Sequence, residues 1–174
     1  MREAFTLDRL QGLWAELNLR YFRSVLPAIE IEWSRRLTAS SGMFISRFGP
    51  RARAAGGERP PRNRRLIRLS RPLLESQPER DIIGTLAHEM IHQWQFDVLK
   101  KRPNHGSDFR DKMAAMNRDG LGITIRHDLD EAVRALARYA WRCLRCGRVY
   151  ERHRRTIRPR IHQCGACRGR LREV

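Results

Sequence analysis

Residues 79–98 read ERDIIGTLAHEMIHQWQFDV, and this stretch decides both the fold class and the chemistry of the chain. Its apolar residues recur at helical spacing: Ile82, Ile83, Leu86, Met90, Ile91 and Trp94. This is the pattern of a helix that faces a core. Because residues four apart share one helix face, His88 and His92 can aim ring nitrogens at one ion, with Glu89 beside it. The stretch therefore predicts a helix that carries part of a zinc-hydrolase site.

The His-Glu-x-x-His pentapeptide within this helix suits hydrolysis of an amide bond. A bound zinc ion lowers the pKa of its water toward ~7 and polarises a carbonyl, while the Glu89 carboxylate takes the proton as the water attacks. The alternative is a chance occurrence of the pattern on an ordinary amphipathic helix. A clear helix start favours the site, because Ser76 and Glu79 match a capping box and Pro78 is tolerated in the first turn. We therefore expect an enzyme with Glu89 as general base.

A catalytic zinc ion usually takes three protein ligands, so a third ligand is expected. Residues 100–104, KKRPN, break the helix, and His105 follows just before a second helical segment that Ser107 can cap. His105 is the leading candidate, and a solvated loop histidine is the alternative. Twelve residues separate His92 from His105, which excludes the metzincin pattern, whose next histidine lies only six positions on.

All four cysteines of the chain lie near its C-terminal end, as Cys143-x2-Cys146 and Cys164-x2-Cys167. The seventeen residues between the two pairs fall within the interval of a four-cysteine zinc site. Four thiolates leave no open position, so the predicted ion is structural and holds a small ribbon together. A disulfide pair is the alternative, which the lack of an apolar signal peptide disfavours. Replacement of one cysteine by His162 also stays open.

The basic residues of the chain are numerous and unevenly placed. There are 36 Lys and Arg against 19 Asp and Glu, and 33 of the 36 are arginine. Residues 51–71 hold eight arginines and one acid, and residues 142–174 hold eleven and two, whereas residues 79–112 hold six of each sign. Arginine clusters suit phosphate contacts, and aromatic neighbours can stack on unpaired bases. The composition indicates a polyanion partner. The alternatives are a solvated arginine-rich face and contact with acidic membranes or proteins, either of which would give the same composition. The candidate nucleic-acid contacts are Arg62, Arg64, Arg65, Trp141, Arg142, Arg145, Arg148, Tyr150, Arg154 and Arg155.

The remaining segments predict an α+β fold with a small mixed sheet. One helix face is formed by Leu10, Leu13, Trp14, Leu17 and Tyr21. Residues 29–33 alternate as a strand does, and residues 43–45 and 66–69 are further strands on either side of a Gly- and Pro-containing loop at 49–65. Residues 66–69 either run along the active-site cleft and accept a substrate backbone at their edge or form an ordinary core strand.

Length and composition bound the organisation. The 174 residues, 41% of them hydrophobic, allow one compact domain plus a small metal-stapled appendage. We predict a zincin-like metalloprotease domain at 1–138 and a zinc-ribbon subdomain at 139–174. Because no segment reaches transmembrane length and no signal-peptide pattern is present, we expect no membrane partner and residence in the cytoplasm or another reducing compartment. We also expect a monomer.

Taken in order, these motifs resemble the SprT-like metalloproteases over nearly the whole chain. The shared features are IEWSRR at 31–36, Gly42, IRLS at 67–70, LAHEMIH at 86–92, Asn104-His105-Gly106 with Phe109, and the cysteine-bearing tail. The resemblance implies a zincin-like fold. It also implies that His88, His92 and His105 are the ligands of the catalytic zinc ion and that Glu89 is the catalytic base.

The resemblance further implies a substrate class. Spartan-like members of this family cleave proteins covalently trapped on DNA, are switched on by single-stranded or disrupted DNA, and use the adjoining zinc-binding subdomain in DNA binding. The expected protein is thus a DNA-associated zinc metalloendopeptidase with one catalytic and one structural zinc ion, acting at the nucleoid of a bacterium or in the nucleus of a eukaryote. Two alternatives stay open: a zinc peptidase with a substrate unconnected to DNA, and a nucleic-acid-binding zinc-ribbon protein with an inactive HExxH site.

Overall fold

The computed structural model of the chain describes residues 5–46, 65–125 and 134–174. The chain divides into two compact units, Met1–His127 and Asp128–Val174. The boundary predicted from the sequence, between residues 138 and 139, stays a prediction. Within the described ranges no helix is both long enough and apolar enough to cross a membrane.

The first unit contains four helices and three strands in its described part. They are α1 (Leu7–Phe22), β1 (Glu30–Ser34), β2 (Gly42–Ser46), β3 (Arg65–Ser70), α2 (Arg71–Leu74), α3 (Glu79–Asp97) and α4 (Ser107–Asn117). Each of the helices and strands predicted from hydrophobic periodicity in this unit is present. The α+β fold class is confirmed.

The sheet of the first unit has the strand order β1-β3-β2. Strand β3 runs parallel to β1 and antiparallel to β2, so the sheet is mixed, as predicted. Because both edges of β3 are already paired, the hypothesis that residues 66–69 accept a substrate backbone is wrong. Among the strands that the structure describes, β2 lies at an edge of the sheet, and it contacts α3.

Helix α3 is the central element of the first unit, with contacts to α1, α4, β2 and β3. Its Leu86, Ala87, Met90 and Ile91 side chains are fully buried. Truncating a buried Leu, Ile or Met to Ala typically destabilises a protein by about 2–5 kcal/mol, so each such side chain contributes substantially to stability. Because these side chains pack against several elements, together they hold α3 in place. The polar residues of α3 are therefore presented from a rigid support.

The starts of two helices differ from the predicted capping. The N-cap of α3 is Pro78 and makes no side-chain capping bond, so the prediction of Ser76 as N-cap is wrong. Acidic Asp81 in the first turn complements the positive end of the helix dipole. The N-cap of α4 is Gly106, and Ser107 is its first helical residue instead of its cap.

The second unit forms a three-stranded antiparallel sheet, with strands β4 (Tyr139–Cys143), β5 (Val149–Arg152) and β6 (Leu171–Glu173). The strand order is β5-β4-β6. Its core consists of four buried residues: Trp141, Cys143, Cys164 and Leu171. So small a core cannot stabilise a fold by itself, which is why such units need a cross-link or a metal ion.

Candidate active site

Helix α3 carries His88, Glu89 and His92 toward one side of the core. His88 and Glu89 are buried, with 6% and 5% of their surface exposed. The adjacent Ala87, Met90 and Ile91 are fully buried in the core. The Nε2 atoms of His88 and His92 lie 3.1 Å apart.

His105 joins this pair from the segment between α3 and α4. Its Nε2 lies 3.1 Å from Nε2 of His88. The candidate ligand atoms of His88, His92 and His105 all lie within 4.8 Å of one another. The three histidines selected from the sequence are thus brought together, although His105 is thirteen positions from His92 in the chain.

The spacing of these nitrogens fits a single zinc ion. With Zn–N bonds of about 2.0–2.1 Å in a tetrahedral arrangement, ligand nitrogens are about 3.3–3.4 Å apart. The two pairs that include His88 are 3.1 Å apart. Nitrogens that face each other this closely repel unless a proton or a cation lies between them. The cluster has the donor type and dimensions of a three-histidine zinc site.

Second hydrogen bonds orient two of the imidazole rings. Nδ1 of His88 lies 2.8 Å from the carbonyl oxygen of Thr124, which can only accept, so Nδ1 carries the hydrogen and Nε2 is left bare. Nδ1 of His92 lies 3.1 Å from Oε1 of Gln95. Burial lowers the pKa of His92 to about 4, which keeps its ring neutral. Such outer partners are the usual means by which proteins orient metal-binding histidines.

The ring of Phe109, on α4, lies behind all three histidines. Its centroid is 4.8 Å from that of His88, 4.9 Å from that of His92 and 4.7 Å from that of His105. Phe109 is fully buried. It therefore forms an apolar floor that restricts the movement of the three rings and excludes water from beneath them.

The Glu89 carboxylate is held between α3 and strand β2. Its Oε2 accepts a hydrogen bond of 2.6 Å from the backbone N–H of Phe44. Burial raises the pKa of Glu89 to about 8, and the Phe44 bond offsets part of this rise. A cation among the histidines would favour the ionised form of the carboxylate.

Strand β2 approaches Glu89 closely because residue 42 is a glycine. A Cβ atom at Gly42 would lie 2.8 Å from Oε1 of Glu89 and 2.8 Å from Cγ2 of Thr85. Real Cβ contacts are essentially never this short. The absence of a side chain at residue 42 is thus a condition for the contact between Phe44 and Glu89.

A pocket of about 350 Å³ opens over this cluster. Besides the histidines and Glu89, the pocket is lined by residues 40–44, which include the start of β2, and by Pro103 and Ile125. Met43 and Ile125 expose 42% and 37% of their surface. The pocket therefore combines the polar side chains of the three histidines and Glu89 with apolar side chains and the edge of a strand.

The four cysteines of the second unit form a separate cluster. The Sγ atoms of Cys143 and Cys167 are 3.5 Å apart, and those of Cys146 and Cys164 are 3.6 Å apart. A disulfide would require about 2.0 Å, whereas four thiolates around zinc at about 2.3 Å lie about 3.8 Å apart. All four cysteines are free, and together they fit a closed tetrahedral site. His162 is bonded to the backbone of Arg158 and takes no part in the cluster.

The two aromatic nucleic-acid candidates lie within the cysteine-bearing unit. Trp141 has no exposed surface, so the prediction that it stacks on bases is wrong. Side chains alternate between the two faces of β4, and this alternation turns Trp141 inward. Tyr139, which is 37% exposed, stacks on Trp141 with 6.2 Å between the ring centroids. Tyr150 is half-buried, and its hydroxyl lies 3.0 Å from Sγ of Cys164. Its ring supports the cysteine cluster.

The arginine candidates have different surroundings. Arg62 and Arg64 lie outside the described residues. Arg65 pairs with the buried carboxylate of Asp97, and Arg155 pairs with Glu173 at 2.7 Å. The others are exposed: Arg142, Arg145, Arg148 and Arg154. Their contact with nucleic acid stays a prediction.

Three groups at the site were missed from the sequence: the N–H of Phe44, the carbonyl of Thr124 and the side chain of Gln95. The first two lie 45 and 36 positions from their partners and belong to the backbone, so no residue type signals them. Gln95 carries a signal, because it follows His92 by three positions and so shares its helix face.

Most of the first unit is similar in sequence to proteins of one family. Residues 10–127 match the SprT-like family. The DNA-dependent metalloprotease SPRTN of Bos taurus is 37% identical over 137 residues, which cover 77% of this chain and 26% of that protein. The SPRTN of Homo sapiens is 35% identical over 137 residues, with coverage of 77% and 26%. The Protein SprT-like of Oceanobacillus iheyensis is 33% identical over 144 residues, with coverage of 79% and 89%. The chain thus spans about a quarter of the SPRTN relatives.

Proposed function

Because the chain belongs to the SprT-like family, we propose that it is a zinc-dependent endopeptidase that cleaves proteins bound or covalently crosslinked to DNA. The observation that carries the proposal is the convergence of three histidine Nε2 atoms beside a buried glutamate at an open pocket. Relatives of the chain are named DNA-dependent metalloproteases, and we extend the dependence on DNA in that name to this chain.

In this proposal His88, His92 and His105 hold the zinc ion. When bound there, zinc lowers the pKa of a water molecule and polarises the carbonyl of the scissile peptide bond. Glu89 takes the proton from that water through Oε1, because Oε2 is already engaged by the Phe44 N–H. It then delivers the proton to the leaving amine, which completes hydrolysis of the bond. The Phe44 bond keeps the carboxylate pointed at the pocket through both transfers.

Strand β2 is the proposed support for the substrate. It is an edge strand among the described residues and lines the pocket, so an extended peptide can run alongside it and pair with its backbone. The exposed side chains of Met43 and Ile125 offer apolar contacts to substrate side chains. Strand β2 thus takes the role that the sequence alone suggests for residues 66–69.

The cysteine-bearing unit is the proposed DNA-binding surface. All eleven arginines in residues 142–174 are exposed, against two acids, of which Glu173 pairs with Arg155. A structural zinc ion on the four thiolates would hold this small sheet rigid and the arginines spread over it. Binding through phosphates should weaken steeply with salt, because each neutralised phosphate releases counterions. We propose single-stranded or disrupted DNA as the preferred partner, and hence action at the nucleoid or in the nucleus.

Cleavage of a DNA-binding protein by the zinc-loaded chain tests the proposal. The reactions contain no DNA, duplex DNA or single-stranded DNA, and Glu89→Gln is run beside the wild type. We expect cleavage that requires DNA and disappears in the variant, while zinc content and DNA binding are retained. Cleavage regardless of DNA would indicate a general peptidase. DNA binding without cleavage under any condition would indicate a binding module.

A further inference from the structure

We propose that Gln95 is a positioning residue that couples the second and third ligands of the metal centre. The inference rests on the proposed zinc site at the three histidines. Oε1 of Gln95 lies 3.1 Å from Nδ1 of His92 and accepts a hydrogen bond of 3.1 Å from the backbone N–H of Asn104. Asn104 directly precedes His105. One amide oxygen therefore holds both a ligand on the helix and the segment that supplies the next ligand.

The Asn104 bond also determines the protonation of His92. A backbone N–H can only donate, so the Gln95 atom that faces it must be the oxygen and not the amide nitrogen. Because the same oxygen faces His92, Nδ1 of His92 must carry the hydrogen. Nε2 of His92 is then the bare nitrogen, and it points toward His88. Gln95 thus fixes the one tautomer that can bind a metal ion at this position.

The burial of Gln95 and the surroundings of its amide nitrogen argue against a role that is only space-filling. The side chain is fully buried, and among the described residues its Nε2 has no hydrogen-bond partner. A buried donor without a partner is destabilising, and an apolar side chain of similar size would avoid the penalty. In the part of the chain that the structure describes, the amide makes its hydrogen bonds through its oxygen, and both of them concern the metal site.

The segment before His105 is anchored to Gln95 at a second point. The backbone carbonyl of Gln95 accepts a hydrogen bond of 2.9 Å from the N–H of Lys101. Asn104 in turn fixes its own neighbours, because its Oδ1 accepts from the N–H of Gly106 at 2.7 Å. His105 therefore extends from a segment whose two ends are tied to α3 and to the start of α4.

The test compares three substitutions at Gln95 with a matched control. Gln95→Leu removes the acceptor, Gln95→Met does so with an unbranched side chain, and Gln95→Glu keeps an oxygen in the same place. The control is Gln93→Leu. Gln93 is equally buried on the same helix, but it bonds Trp14 and the carbonyl of Pro27, away from the histidines.

Zinc affinity is the readout, measured by stepwise competition with a chromogenic chelator. The four-cysteine site of the same molecule serves as internal reference, and thermal unfolding reports folding. For Gln95→Leu and Gln95→Met we expect the affinity of the histidine site to fall roughly 10–100-fold, the usual range for losing an outer partner of a metal ligand. The cysteine site should be unchanged. Gln95→Glu and Gln93→Leu should keep the affinity of the wild type.

The possible failures are distinguishable. Wild-type affinity in both Gln95→Leu and Gln95→Met, or an equal loss in Gln93→Leu, would overturn the role of Gln95 while leaving the metal centre intact. An equal loss in Gln95→Glu would also overturn it, because an acceptor is still present there. If the wild-type protein holds zinc only at its cysteines, the proposed function fails and this inference fails with it. If Gln95→Leu does not fold, the comparison of Gln95→Met with Gln95→Glu decides.

Discussion

Substitution of Gly42 by alanine should separate the base from its support without touching a metal ligand. The added Cβ would lie 2.8 Å from Oε1 of Glu89, 2.9 Å from its Cγ and 2.8 Å from Cγ2 of Thr85. None of these atoms can move far, because Glu89 and Thr85 are buried on α3. Strand β2 must therefore shift away from the helix, and the 2.6 Å bond from Phe44 N–H to Glu89 must lengthen.

The size of the effect follows from two contributions. Inserting a methyl group into a packed core typically destabilises a protein by about 1–3 kcal/mol. A hydrogen bond to a charged group contributes about 1.5–3 kcal/mol, and part of this is lost as the bond lengthens. For a chain of this length each kcal/mol shifts the unfolding midpoint by about 2–4 °C, so the inserted methyl group alone should lower the midpoint by roughly 2–12 °C, and the weakened hydrogen bond should lower it further. Peptidase activity should fall by at least about tenfold, the equivalent of 1.4 kcal/mol in orientation of Glu89.

Thermal unfolding, zinc content and peptide cleavage would be measured together. Gly12→Ala is the matched control, because a Cβ at Gly12 meets nothing within 4 Å and the position is exposed in α1. Alanine there should leave activity unchanged and stabilise the helix by up to about 1 kcal/mol. The Gly42 variant should keep its zinc. Wild-type activity and stability in Gly42→Ala would refute the view that the close approach of β2 positions the base.

Two further substitutions probe the metal sites. Phe109→Ala removes the ring that touches all three histidines. The free energy of unfolding in denaturant should fall by about 3–5 kcal/mol, and the zinc affinity of the histidine site should fall in chelator competition. Unchanged zinc affinity would contradict the role of Phe109 as an apolar floor. Gly169→Ala places a Cβ 2.8 Å from Sγ of Cys143 and 2.7 Å from Cβ of Arg145, so it should weaken zinc binding by the cysteines alone. Gly165→Ala, whose Cβ would meet only the Tyr150 hydroxyl at 3.9 Å, is its control, and equal zinc affinity in the two variants would contradict the prediction.

The sequence predicts the helices and strands that follow from local periodicity, and it predicts which histidines and cysteines lie together. His88, Glu89 and His92 are a few residues apart on one helix, so helix geometry alone places them together. The paired C-x2-C spacing likewise has few solutions other than a common ion. His105 is predicted from the number of ligands that a catalytic zinc ion needs and not from helix geometry.

The features that the sequence predicts wrongly or does not reveal depend on contacts between distant parts of the chain. The pairing of β3 on both edges, which leaves β2 facing the pocket, is a property of strand order that no single strand carries in its sequence. The supporting bond from Phe44 comes from a backbone N–H, which every residue but proline has. The arginines near Trp141 in the sequence favour stacking of its ring on bases, whereas alternation along β4 turns the side chain into the core.

The most direct test of this account is anomalous scattering at the zinc absorption edge from crystals of the zinc-loaded protein. We expect one peak about 2.0–2.1 Å from Nε2 of His88, His92 and His105, and a second about 2.3 Å from the four cysteine Sγ atoms. The cysteine peak serves as the positive control for metal loading. A peak at the cysteines with none among the three histidines would contradict the central claim that Glu89 acts beside a bound zinc ion.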